Sequence, residues 1–214
     1  MKVIGVIPAR YGSTRLTGKP LIKVHNKTLI QLTYETILNS KLFDSLLITT
    51  ESKLVKNVVS QFGAKCIITS KEAKNGTERC AELMRKMNTK IDENDIIINI
   101  QCDEPFVKKE HIKKLIDVLK LKNEIGTIIS PIHDNEIHDP SVVKTIISKD
   151  RFAINFSREV SKLKKNTKLY KHIGVYGYRK NMLLRIVDLS PTKNELLEKL
   201  EQLRWLENKY LINC

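Results

Sequence analysis

Three short polar clusters carry the residues whose types and spacing suit chemistry on a phosphorylated small molecule. The first, residues 8–20, reads Pro-Ala-Arg-Tyr-Gly-Ser-Thr-Arg-Leu-Thr-Gly-Lys-Pro and sets Arg10, Arg15 and Lys19 around Gly12 and Gly18. Glycines let backbone N–H groups approach phosphate oxygens, and guanidinium and ammonium groups neutralise the charge that builds during phosphoryl transfer. The spacing matches neither a Walker A loop nor a Gly-x-Gly-x-x-Gly fingerprint, which disfavours a P-loop ATPase and an NAD enzyme. A solvated basic loop is the plainer alternative, and it leaves the grouping of these cations between glycines as accident. The second cluster, Gly76-Thr77-Glu78-Arg79, opens a helical pattern. A helix start offers unpaired N–H groups and a dipole that favours anions; the competing reading makes Thr77 an ordinary cap. The third, Gln101-Cys102-Asp103-Glu104-Pro105, follows an apolar strand. Asp103 suits Mg²⁺, which takes oxygen ligands from one or two carboxylates and from substrate phosphates. A helix-capping Asp103 is the alternative.

These clusters need a scaffold that brings them together, and the hydrophobic rhythm supplies one. Residues 3–7, 46–49, 65–68, 96–100 and 127–131 read as strands, and 28–39, 53–62, 77–87 and 111–121 as helices between them. That alternation predicts a three-layer α/β/α architecture of Rossmann-like type around a mainly parallel sheet. In such sheets ligands settle beyond the carboxyl ends of the strands, where all three clusters lie. After Pro131 the rhythm changes. Residues 142–147, 152–156 and 170–178 follow without full helices between them and read as a small antiparallel extension, before a last helix over 194–206 with Leu196, Leu197, Leu200, Leu203 and Leu206 on its apolar face. No repeat, linker or domain boundary is visible, so a single domain over residues 1–214 is expected.

The 214 residues are 41% hydrophobic and 29% charged, enough for one sizeable core. No run of about 18 apolar residues occurs, and the apolar start is too short for a signal peptide, which predicts a soluble, cytoplasmic protein without membrane contact. Cys66, Cys80, Cys102 and Cys214 are widely spaced and read as small buried hydrophobes. The net charge of +14 fits attraction of a small polyanion; nucleic-acid binding is not expected, because no Arg-rich arm or aromatic-interleaved stripe accompanies the lysines.

The run from Ile7 to Leu21 resembles the nucleotide-binding signature of the CMP-Kdo synthetases, within the wider cytidylyltransferases. Gly-Thr-Glu-Arg at 76–79 and Gln-Cys-Asp-Glu-Pro at 101–105 are similar to two further family segments, with Cys102 in place of a glycine. Thr17, Ala73 and Asn75 also depart from the usual proline, histidine and serine. Lys-His-Ile-Gly-Val-Tyr-Gly-Tyr-Arg at 171–179 and Leu-Glu-Gln-Leu-Arg at 200–204 resemble sugar-binding segments, and Glu195 and Glu198 match acidic positions. The resemblance implies transfer of CMP from CTP to 3-deoxy-D-manno-octulosonate (Kdo), releasing pyrophosphate, for lipopolysaccharide biosynthesis. It assigns catalysis to Arg10, Lys19 and Asp103, the last as Mg²⁺ ligand. Nucleotide contacts fall to Ala9, Arg10, Gly12, Ser13, Lys19, Gly76, Thr77, Arg79 and Gln101. Sugar contacts fall to Arg158, His172, Tyr176, Glu201 and Gln202. A homodimer is expected on the same analogy. Family members usually continue through a Gly-Val-Asp-Thr-Pro segment whose aspartate supplies a second metal carboxylate; here Glu104 and Asp134 are the candidate substitutes. The rivals are transfer to another acid sugar, such as an 8-amino Kdo analogue or a sialate-like acid, and a noncatalytic CTP-binding relative.

Overall fold

The period-two alternation of the first strand sets the layering of the molecule. In the computed structural model, which describes residues 1–12, 16–87, 90–121, 123–163 and 166–214, β1 (Val3–Pro8) is buried along its whole length. Ile4 and Val6 enter one core cluster, and Val3 and Ile7 enter another. Successive side chains of a strand point to opposite faces, so a strand apolar at every position must be covered on both.

A two-stranded hairpin, β2 (Lys23–Val24) with β3 (Lys27–Thr28), leads into α1 (Leu29–Asn39). The parallel half continues with β4 (Ser45–Thr50), α2 (Lys53–Gln61), β5 (Cys66–Ile68), α3 (Gly76–Lys86) and β6 (Ile96–Asn99). β1 lies between β4 and β6, all parallel, with β5 outside β4. Helix α4 (Lys109–Lys120) joins α1 and α2 on one face through Ile30, Ile37, Val55, Val59, Ile112, Leu115 and Leu119. Helix α3 covers the other through Cys80, Leu83 and Met84.

The antiparallel half is built on one long strand. After β7 (Ile125–Pro131), α5 (Asp134–Ile137), β8 (Lys144–Ile147) and β9 (Ala153–Ser157), strand β10 (Tyr170–Arg179) runs antiparallel to β6, β7 and β8, and β9 closes the edge on β8. The chain finishes with α6 (Lys180–Ile186), α7 (Lys193–Glu198) and α8 (Gln202–Glu207).

The last helix differs from its expected form. Residues 194–206 make two short helices broken at Lys199, which is left-handed at φ 54°. The break turns Leu200 and Leu203 into the core but leaves Leu196 and Leu197 at 65% and 67% exposure. Helix α6 was not anticipated; it starts directly where β10 ends. Among the described residues no helix is long and apolar enough to cross a membrane.

Candidate active site

One cleft of about 660 Å³ opens beyond the carboxyl ends of β1 and β6, against the N-terminus of α3. Its walls carry Arg10, Lys19, Lys74, Arg79, Arg158 and Lys199, with Asp103 as the one carboxylate among the lining residues. Such an excess of cations in a concave, partly walled space attracts small anions. Residues from all three sequence clusters therefore meet in one place.

The first loop leaves β1 with Ala9, which is fully buried and whose N–H is taken by the Thr49 carbonyl at 2.8 Å. Ala9 thus has neither an exposed side chain nor a free N–H for a ligand. The Tyr11 carbonyl accepts the Gly18 N–H at 2.8 Å, which pinches the loop shut. Gly18 takes φ 74°, a backbone region that costs a residue with Cβ, and this turn starts the 3₁₀ segment Lys19–Leu21. Lys19 is thereby delivered to the cleft, where its ammonium pairs with the Asp103 carboxylate. Arg10 crosses the cleft and donates from Nη1 to the Lys74 carbonyl at 2.8 Å. The N–H groups of Tyr11 and Gly12 donate to Glu51 Oε1 at 2.8 and 3.3 Å, so both amides are engaged by a carboxylate of the protein. Ser13 and Arg15 lie outside the described residues.

At the second cluster the helix cap is Asn75, not Thr77: the Asn75 side chain accepts from the Glu78 N–H at 2.8 Å. Gly76 is needed for close approach. A Cβ there would stand 3.1 Å from Gln101 Nε2 and from Pro8 Cγ, so a side chain at the helix start would press on the ends of β1 and β6 and require them to give by a few tenths of an ångström. Thr77 is buried and donates to Glu201 Oε2 at 2.8 Å. Arg79 lines the cleft and is bound into its wall. It is 1% exposed, paired with Glu51 at 3.0 Å, and bonded to Thr69 Oγ1 at 2.6 Å and the Ser70 carbonyl at 3.1 Å. Its guanidinium shapes the wall and has protein acceptors in place of a ligand.

At the third cluster Gln101 lines the cleft, its Nε2 3.4 Å from Asn99 Oδ1. The Cys102 side chain belongs to the buried core on the α1 and α4 face, and burial pushes its thiol up to about 12. It also borders the cleft, and at that pKa it is not a thiolate nucleophile. Burial and the neighbouring Asp103 charge raise the carboxyl of Glu104, which does not line the cleft. Asp134 is exposed on α5. Neither substitute carboxylate joins Asp103 on the cleft wall. No group of three or more His, Cys, Asp or Glu suited to a metal occurs among the described residues.

The sequence profile described as cytidylyltransferase matches residues 4–212. The chain belongs to the cytidylyltransferase family. It is 41% identical to the 3-deoxy-manno-octulosonate cytidylyltransferase of Thermodesulfovibrio yellowstonii, over 97% of this chain and 87% of that protein. The enzyme of the same name from Chlamydia felis is 39% identical over 97% of this chain and 82% of its own length. A solved CMP:2-keto-3-deoxy-manno-octonic acid synthetase complexed with CTP superposes with a TM-score of 0.89 at 33% identity, covering this chain entirely and 88% of its own. A 4-diphosphocytidyl-2C-methyl-D-erythritol synthase at 14% identity and TM-score 0.65 shares the fold.

In this cytidylyltransferase chain the residues expected for the sugar divide into two groups. Arg158 lines the cleft and donates from Nη1 to the carbonyls of Pro140 and Ser141 at 3.1 and 3.3 Å. His172, Tyr176, Glu201 and Gln202 are not among the cleft's lining residues, and Glu201 meets the start of α3 through Thr77. His172 pairs with Thr127 Oγ1 at 3.0 Å, its ring 5.1 Å from Phe156 and 5.3 Å from Tyr176. Burial pushes its pKa down to about 3, so it is a neutral hydrogen-bonding group. Burial pushes Glu201 up to about 7, against the Thr77 hydrogen bond and the Arg204 charge. Buried Asn99 Nδ2, Gln202 Nε2 and Trp205 Nε1 have no hydrogen-bond partner among the described residues. Such atoms each cost about 1–3 kcal/mol and call for a polar companion.

Sequence reasoning missed Glu51, Lys74 and Lys199. Glu51 had a signal, since it is the residue immediately after β4 at the same end of the sheet. Lys74 and Lys199 had none, being single lysines in a lysine-rich chain.

Proposed function

We propose that this chain transfers the CMP moiety of CTP to 3-deoxy-D-manno-octulosonate, yielding CMP-Kdo and pyrophosphate for lipopolysaccharide synthesis. The carrying observation is the meeting of Arg10, Lys19 and Asp103 in one cationic cleft at the sheet's carboxyl end. The C2 hydroxyl oxygen of the sugar bonds to the α-phosphorus of CTP, the bond from that phosphorus to the bridging oxygen breaks, and pyrophosphate departs with both electrons. The hydroxyl proton leaves to solvent. Arg10 and Lys19 hold and neutralise the triphosphate, and the Gly76 start of α3 with Gln101 borders the nucleoside. Such reactions are catalysed by placement and charge stabilisation, with no covalent intermediate.

Asp103 fits a Mg²⁺ ion in chemistry. Its carboxylate is 37% exposed on the cleft wall and already has a cation, the Lys19 ammonium, as partner. Mg²⁺ is commonly held by one or two carboxylates plus substrate phosphates, so a single protein carboxylate suits a site completed by the nucleotide. Bound there, the ion would neutralise phosphate charge.

Arg158 is the candidate partner of the sugar carboxylate, because a guanidinium matches a carboxylate fork. His172, Tyr176, Glu201 and Gln202 are the candidate partners of its hydroxyls, and the Asn99 and Gln202 amide nitrogens, which have no partner among the described residues, support a polar guest there. The whole chain serves as one catalytic domain, in the cytoplasm and as a homodimer. The exposed Ile154 on edge strand β9 supports pairing of two copies.

The test is pyrophosphate release with CTP, Mg²⁺ and Kdo, run beside Arg10→Ala and Asp103→Asn. Release that falls by about 10²–10³ in each variant supports the reading. Release equal in all three proteins removes it.

A further inference from the structure

Glu51 stands one residue beyond β4, at the same end of the sheet as Arg10. Its Oε1 accepts the N–H groups of Tyr11 at 2.8 Å and Gly12 at 3.3 Å, the two residues that follow Arg10. Its Oε2 faces Arg79 Nη2 at 3.0 Å, with the two side chains 11% and 1% exposed. Arg79 carries the linkage onward to Thr69 Oγ1 and the Ser70 carbonyl. Thr49 Oγ1 anchors Thr69 to β4 at 3.0 Å. The opposite end of Arg10, its guanidinium, reaches the carbonyl of Lys74 on that same wall. Arg10 is therefore held at both ends by one closed circuit of contacts.

We propose that Glu51 is the positioning residue of this cleft, fixing the backbone behind Arg10 and coupling it through Arg79 to the 69–76 wall. The inference deepens the nucleotidyl-transfer reading and rests on it. A carboxylate in this place does not yield its amides to a phosphate, because leaving would strand the buried Arg79 charge. The Tyr11 and Gly12 amides are thus structural, and the cations grip the triphosphate. A guanidinium held in one orientation needs no reorganisation as charge develops, and this is where placement affects turnover most.

The test compares Glu51→Gln, Arg10→Ala and the double variant, with Val59→Ala as a packing control in the core of α2. Glu51→Gln lowers kcat about 10- to 100-fold, with the KM for CTP changed less than about 3-fold. The double variant stays within about 3-fold of Arg10→Ala, because both losses run through one guanidinium. Val59→Ala lowers Tm while keeping kcat within about 2-fold. Losses that multiply in the double variant, or an equal loss in Val59→Ala, overturn the proposal. A second arm needs no turnover: amide exchange at Tyr11 and Gly12 of the ligand-free protein rises at least about 10-fold in Glu51→Ala relative to wild type. Unchanged exchange overturns it as well. Absence of pyrophosphate release from wild type would remove the transfer reading, while the exchange arm would still decide whether Glu51 holds the loop.

Discussion

Replacing Glu201 with glutamine should change how stability depends on pH, by an amount that follows from its burial. In the folded chain burial keeps the proton on this carboxyl, beside Thr77, Arg204, Glu78 and Glu195, up to about pH 7, against 4.5 for an exposed glutamate. Folding therefore takes up a proton between these values, and stability is lost as pH rises across them, at about 1.4 kcal/mol per pH unit. The interval of about 2.5 units sets a total of roughly 3 kcal/mol. His172 acts in the opposite sense. Its pKa falls from 6.5 to about 3, so the unfolded chain binds a proton that the folded chain refuses, and stability is lost as pH falls. Between roughly pH 5 and 6 the two slopes cancel in the native sequence. Urea denaturation at pH 5, 5.5 and 6, at fixed ionic strength, separates them. Glu201→Gln should gain about 1.4 kcal/mol relative to the native sequence across that unit, and His172→Asn should lose about the same. Parallel stability curves for all three proteins would refute the burial argument.

Lys19→Met should lower kcat/KM by about 10²–10³, with partial recovery in Lys19→Arg, measured by pyrophosphate release. Arg79→Met strands the Glu51 carboxylate and should reduce unfolding free energy by about 3–5 kcal/mol in denaturant titrations. Burial holds Cys66 near 11 and Cys102 and Cys214 near 12. Iodoacetamide at pH 8 should therefore leave activity intact after complete removal of free reagent, and Cys102→Gly should retain turnover within about 3-fold.

The parallel half of the fold was legible because each of its strands is an apolar run punctuated by a turn, and each helix shows one buried stripe. Strand β1 ends at Pro8, and Ile96–Asn99 ends before Gln101, so the positions of the first and third clusters at the sheet's edge followed from periodicity. Their convergence depends on register, which places Val6 beside both Leu47 and Asn99. The break at Lys199 was not legible, since a leucine stripe at helical spacing looks the same whether or not one lysine turns left-handed. Nor was the use of the Gly12 amide by Glu51, because a glycine-rich loop advertises free N–H groups without naming their acceptor. The inward placement of Arg79 was hidden for a similar reason. A cation beside a helix start reads as a ligand contact until its carboxylate partner, 28 positions earlier in the chain, is seen 3.0 Å away.

The central claim, that one nucleotide is shared by the first loop and the end of β6, is tested most directly by a crystal structure of the protein with CTP and Mg²⁺. The account predicts triphosphate oxygens within about 3 Å of both the Arg10 guanidinium and the Lys19 ammonium, with the Lys19–Asp103 pair opened and the metal on Asp103. A nucleotide bound elsewhere, or one touching Arg10 while Lys19 and Asp103 remain paired, would contradict it.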